Sequence, residues 1–356
     1  MGLRAAAVAL LLGLSACASA TTTPIGTPAT MTETSAAAAS PPATPAGPQA
    51  GAPDVRAETR RLVRAGAPGA VAYVRDGERV WQAAAGLARE GVPMRTDHRF
   101  RIASITKTFT AALVLELVRE GKLAVTDRVE RLLPGVISTR ATVADLLRHT
   151  SGIPDYLTAP GFTRALEDGG HLKRWTPREL LAHAGPPGRP GTSSYSNTNY
   201  ILLGMILEKL RREPYEKLVR NRIALRSTEL PTSLLPAHLA HGRDGATRVN
   251  ASIFWTAGGL VSTAADVADF YRALFGGARP EGRVMREGGY GVFSERLHCG
   301  VDVLTHSGLI LGYGGAAMST EDGRRVVVVQ VNASMPGDAI AAAGRLMCAK
   351  APVPTS

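Results

Sequence analysis

Strand-forming segments sit near both ends of this chain, and helix-forming segments fill the stretch between. Near the start, "GAVAYVRDGERVWQAAAG" gives two strand-like runs around Asp76-Gly77, a strong hairpin turn signal. Toward the end, "CGVDVLTHSG" and "GGAAMSTEDGRRVVVVQVN" read as an antiparallel meander that turns at Asp322-Gly323. A helix over Asp54–Ala65 precedes the first hairpin, and another, about Asp338 to Lys350, follows the last strand. Strands at two ends need a shared partner to bury their apolar faces. The pattern therefore predicts an α+β fold, an α/β sandwich: one antiparallel sheet built from both termini, flanked by helices, with an all-helical region inserted between.

The inserted region has its own punctuation. A helix runs from about Ser104 to Arg119 and stops at Gly121, a good residue just past a helix end. "ATVADLLRH" is a second helical segment. "TPRELLAH" is a third, with Thr176 as N-cap, Pro177 in the first turn and Glu179 completing a capping box. "NYILLGMILEKLRR" ends near Pro214, and "STAADVADFYRALFGG" is closed by Gly276 and Gly277. Aromatics are only 5% of the chain against 45% hydrophobic residues, so Ala, Val and Leu must do most of the packing. No internal repeat appears at solenoid periods.

The first residues read differently. Arg4 precedes an apolar run, Ala5 to Leu14, that is too short to span a membrane and fits a signal-peptide core. Leu14-Ser15-Ala16-Cys17 resembles a bacterial lipobox, which implies lipidation at Cys17; cleavage after Ala20 is the alternative. Residues 18–53 are Ala, Thr, Pro, Ser and Gly, too poor in apolar content to form a core. The expected organisation is a lipoprotein-type signal at 1–17, a linker at 18–53, a folded unit at 54–350 and a tail at 351–356. In an exported chain the other two cysteines, Cys299 and Cys348, are expected to pair, closing a loop that stabilises by about 4 kcal/mol. Two separate buried thiols are the alternative.

The net charge of +11 invites a polyanion-binding reading. No helix carries a dense Lys/Arg stripe and no nucleic-acid motif is present, so the charge reads as a scattered Arg-rich surface without a nucleic-acid partner. Lys107, Lys122, Lys173, Lys209, Lys217 and Lys350 are all the lysines among 41 basic residues. A retained Lys can lose its proton where Arg cannot.

Three stretches carry chemistry. Ser104-Ile105-Thr106-Lys107 places a hydroxyl and an amine one helical turn apart, at a helix N-terminus whose dipole favours negative charge. Lys107 could take the Ser104 proton; a helix cap is the plain alternative for Ser104. Tyr195-Ser196-Asn197 offers a phenol and an amide just before a helix, with Asn197 or Thr198 as its possible N-cap. His306-Ser307-Gly308 lies in a strand, with a glycine where a ligand could approach the backbone.

In this order the three resemble the serine penicillin-recognising superfamily, and within it the branch of class C β-lactamases and soluble D-alanyl-D-alanine carboxypeptidases. Tyr195 and Asn197 match its Tyr-x-Asn motif; His306 and Gly308 match Lys/His-x-Gly. "LLRHTSGIPDY" and "TAGGLVSTAADVADF" resemble the family as well. The resemblance implies a sheet of five to seven antiparallel strands beside an all-helical region, with the active site between them. Ser104 would form an acyl-enzyme, with Lys107 and Tyr195 sharing the proton transfers. Asn197 would hold a substrate carbonyl or orient Lys107. His306 would hold a substrate carboxylate or tune Tyr195, and the backbone N–H groups of Ser104 and Leu309, beside Ser307 and Gly308, would form an oxyanion hole. It implies a small-molecule or peptidoglycan-peptide substrate, β-lactams as acylating ligands, no cofactor or metal, a monomer, and membrane contact through the lipid anchor alone. Two positions depart from the carboxypeptidase pattern. Leu309 replaces a hydroxyl residue, and only Arg296 in "YGVFSERLHCG" offers a carboxylate-holding arginine. Esterase or β-lactamase activity, and a non-catalytic penicillin-binding sensor, are the alternatives.

Overall fold

The computed structural model describes residues 53–243 and 247–349. The signal and linker features, Cys17 among them, and the 351–356 tail lie outside the described residues, as does Lys350.

Helix α1 (Val55–Arg64), capped by the Asp54 side chain, leads into β1 (Gly69–Asp76), β2 (Arg79–Arg89) and β3 (Val92–Pro93). Strand β4 (Phe100–Arg101) and a 3₁₀ turn, Ala103–Ile105, enter helix α2 (Thr106–Arg119). Short helices then lead to α3 (Asn197–Arg211). Strand β5 (Val261–Ser262) and α4 (Ala264–Phe275) bring the chain back to the sheet. There β6 (Phe293–Arg296), β7 (Asp302–Ile310), β8 (Tyr313–Thr320) and β9 (Arg325–Val331) are followed by α5 (Pro336–Cys348).

The main sheet has seven strands in the order β3-β2-β1-β9-β8-β7-β6, every pair antiparallel. β1 pairs with β9 in the register Ala70↔Val331, so the two chain ends meet at the sheet's centre. That is the expected architecture. The central strand β9, "RVVVVQV", is apolar without alternation because both faces are covered. Val327 and Val329 pack in one core with α1 and α5, and Val326 and Val328 in the other with the helical region.

Cys299 and Cys348 form a disulfide with Cα atoms 5.9 Å apart. It ties the β6–β7 turn to the end of α5. The last helix begins at Pro336, earlier than expected, because a proline is accepted in a first helical turn. Two features had no readable period. β4 and β5 are two residues each, and β6 is exposed at all four positions. A helix at Glu281–Gly288 was likewise not anticipated.

Candidate active site

Ser104 sits in the 3₁₀ turn that starts α2, one turn before Lys107. Ala103 just before it has φ +48, a left-handed value that costs a non-glycine residue about 1 kcal/mol or more. The turn is pressed from behind by β7. A Cβ built at Gly308 would fall 2.4 Å from the Ile102 carbonyl oxygen and 3.1 Å from the Ala103 Cβ. Only glycine lets that strand run along the turn that carries Ser104.

Lys107 has no solvent exposure. Its Nζ donates to Ser104 Oγ (3.1 Å), Asn197 Oδ1 (2.7 Å) and the Ala257 carbonyl (2.7 Å), which fills all three ammonium donors. Burial lowers its pKa to about 7, with the Asp155 carboxylate pulling the other way. A lysine in that state can both accept and return a proton near neutral pH.

Tyr195 donates its hydroxyl to Ser104 Oγ at 2.8 Å. Burial pushes the phenol above its ordinary value, so it stays a proton donor. Its ring stacks on His149, with centroids 4.3 Å apart. His149 closes its own short helix in the left-handed region (φ 60), and its Nδ1 accepts from the Ser196 N–H at 3.1 Å. Burial keeps that imidazole neutral.

Asn197 does not cap α3. Ser196 holds the N-cap position without a side-chain bond, and Thr198 bonds to the loop at Pro154 and Tyr156 instead. The Asn197 amide is spent on the site: Oδ1 accepts from Lys107, and Nδ2 donates to Asp155 Oδ2 at 2.7 Å. A helix start inside a fully buried contact needs its side chains for neighbours rather than for its own backbone.

His306 is buried on β7, with Nδ1 2.7 Å from the Ser307 carbonyl oxygen. Nδ1 therefore carries the hydrogen, and Nε2 is a buried acceptor with no hydrogen-bond partner among the described residues. Burial, with the positive Lys107 nearby, lowers its pKa to about 3. A neutral imidazole whose free nitrogen is an acceptor brings neither a charge nor a donor to a carboxylate, which counts against the first of the two roles expected for His306. The sign for stability follows. Between about pH 6.5 and about pH 3 the unfolded imidazole binds a proton that the folded one refuses, so stability is lost as pH falls through that window. Melting temperatures followed from about pH 7 to about pH 4 should fall less steeply for His306→Asn than for the parent protein. Parallel curves would count against a buried neutral His306.

β6 pairs with β7 only up to Phe293↔Thr305, which leaves the outer edge of β7 open from His306 onward. On the other side, Ile310↔Tyr313 closes a two-residue hairpin turn. The antiparallel alternation then turns the backbone groups of Ser307 and Leu309 to the open edge, beside the Ser104 turn. Arg296 is committed elsewhere, to Asp302 at 2.9 Å on the exposed strand pair.

Ser104, Lys107, Tyr195 and Asn197 thus form one hydrogen-bonded cluster. His306, Ser307, Gly308 and Leu309 line the strand beside it. Asp155 joins this cluster through Asn197 and His149 stacks on Tyr195; neither had a role assigned from sequence. Both lie in "LLRHTSGIPDY", the stretch already noted for its resemblance, and Ala257 lies in the other.

Comparison with known proteins bears on this arrangement. The family profile described as Beta-lactamase matches residues 55–349. Penicillin-binding protein 4 of Amycolatopsis lactamdurans is 31% identical over 259 residues, covering 65% of this chain and 66% of that protein. Penicillin-binding protein 4* of Bacillus subtilis is 32% identical over 145 residues, covering 37% of this chain and 30% of that protein. The chain therefore spans less than two thirds of either relative. The crystal structure of a D-stereospecific amidohydrolase from Streptomyces is 34% identical with a TM-score of 0.75, covering 84% of this chain and all 100% of that one.

Proposed function

The chain belongs to the beta-lactamase family of serine hydrolases, and we propose that it hydrolyses an amide or ester through an acyl-enzyme on Ser104. One observation carries the reading. A single hydroxyl, Ser104 Oγ, is shared by a fully buried lysine and a protonated tyrosine. Neutral Lys107 would take the Ser104 proton as Oγ attacks the carbonyl. The backbone N–H groups of Ser104 and Leu309 would receive the oxyanion. Tyr195 would give its own proton to the leaving group and recover one from Lys107; a water that loses its proton to the neutral Lys107 would then attack the acyl carbonyl, and Ser104 would leave with that proton restored to its Oγ.

The leaving side of the substrate is proposed to lack a free carboxylate. His306 is neutral, Leu309 has no hydroxyl, and Arg296 is paired with Asp302. An amide of a D-configured amino acid or peptide fits this, and the 34% identical relative named as a D-stereospecific amidohydrolase supports it. A carboxypeptidase acting on cell-wall peptides is the second reading, favoured by the likeness to penicillin-binding proteins. The proposal includes export and lipidation at Cys17, supported by Arg4, the apolar run after it and a disulfide of the kind kept in oxidising compartments.

A panel of D- and L-amino acid amides, a D-Ala-D-Ala peptide, p-nitrophenyl acetate and nitrocefin tests the assignment. The D-amide should show a higher kcat/KM than the peptide with its free carboxylate. Faster cleavage of the peptide would make this a carboxypeptidase, and dominant nitrocefin turnover a β-lactamase.

A further inference from the structure

We propose that Asp155 is a positioning residue of this site: its carboxylate fixes the Asn197 amide and supplies the negative charge against which buried Lys107 exchanges the Ser104 proton. The inference rests on the reading of Ser104 and Lys107 just given.

Both carboxylate oxygens of Asp155 are held. Oδ1 accepts from the Leu157 N–H at 3.0 Å, capping the 3₁₀ turn Tyr156–Thr158, and Oδ2 accepts from Asn197 Nδ2 at 2.7 Å. That second bond decides which way the Asn197 amide faces. With Nδ2 on Asp155, Oδ1 must point at Lys107, where it accepts at 2.7 Å. The result is a chain from carboxylate to amide to ammonium to hydroxyl.

Lys107 is surrounded by groups that do not balance its charge. His149 and His306 are both held neutral by burial. The rings of Tyr195 and Tyr200 lie 4.9 and 5.5 Å from Nζ, and both phenols stay protonated. The Trp255–Gly258 turn contributes a carbonyl. Among the described residues Asp155 is the carboxylate that acts on Lys107; burial raises its pKa, while the Leu157 and Asn197 hydrogen bonds and Lys107 favour its charged form, and that charge reinforces the proton on Tyr195.

Labelling by a fluorophosphonate probe, its second-order rate constant followed against pH, tests the proposal. The parent protein should react faster as pH rises through the Lys107 titration. In Asp155→Asn, which keeps the shape and removes the charge, that midpoint should move down by about one pH unit. Asp155→Ala should show the same displacement with a lower plateau, because the Asn197 amide is released. An unmoved midpoint in Asp155→Asn, whatever the plateau, would make Asp155 structural and overturn the proposal. Equal labelling of Ser104→Ala and parent would instead overturn the reading on which it rests.

Discussion

Ser104→Ala should abolish covalent labelling by a fluorophosphonate or a fluorescent penicillin and lower kcat by about 10⁶-fold. The size of the loss follows from what remains. Lys107 would still donate to Asn197 and to the Ala257 carbonyl, and Tyr195 would still lie on His149, but neither offers a free nucleophile. Lys107 is wholly enclosed and the phenol is kept protonated by burial. Removing the hydroxyl therefore takes away the one oxygen on which both groups converge. The fold should be unaffected, since the turn around Ser104 is held by its neighbours: Ile105 N–H to the Ile102 carbonyl, and Gly308 packed behind. Intact-mass spectrometry of probe-treated protein and a thermal melt give the two readouts. An adduct of equal yield on the alanine variant would remove Ser104 from the nucleophile's position.

Sequence made part of this arrangement legible because the relevant signals are local. The first hairpin turn, one residue later than expected at Gly77-Glu78 with Gly77 at φ 59, and the capping box of Thr176 and Glu179 are each written within four residues. The order of the Ser-Lys, Tyr-x-Asn and His-x-Gly stretches carried the site for the same reason. What it could not show depends on distant partners. Asn197 looks like a helix cap until the fold brings Lys107 to one end of its amide and Asp155 to the other, 90 and 42 residues away. His306 reads as a possible holder of a substrate carboxylate until burial and the Ser307 carbonyl fix it as a neutral acceptor. β6 has four exposed residues and no period, so only its pairing to β7 defines it.

The glycine in the third stretch illustrates the same division. Its identity is visible in sequence, whereas its reason is a contact with Ile102 and Ala103, some two hundred residues earlier. That contact links the sheet built from both chain ends to the first turn of a helix in the inserted region. Ala103 accepts a left-handed φ within it. The geometry of the nucleophile is thus set by the way the two layers meet, and not by the propensity of the turn itself.

Lys107→Arg should reduce acylation by about 10²–10⁴-fold, the range expected when a positioned acid-base group is lost. Guanidinium cannot give up its proton in a protein, so it cannot take one from Ser104. Size works in the same direction, because Lys107 is wholly enclosed and already contacts three acceptors. An arginine would have to push Asn197 or the Trp255–Gly258 turn aside. Lys107→Met separates the two causes, since it fits the same space without a charge and should also fail to acylate. The pH profile of the parent supplies the complementary test. The working form of Lys107 is the neutral amine, so acylation should rise with pH around the value of about 7 at which burial holds this lysine. A lysine left at its ordinary value would delay that rise by more than three pH units, to about 10.4. Acylation in Lys107→Arg at the parental rate, or a profile flat across neutral pH, would assign the Ser104 proton to Tyr195 instead.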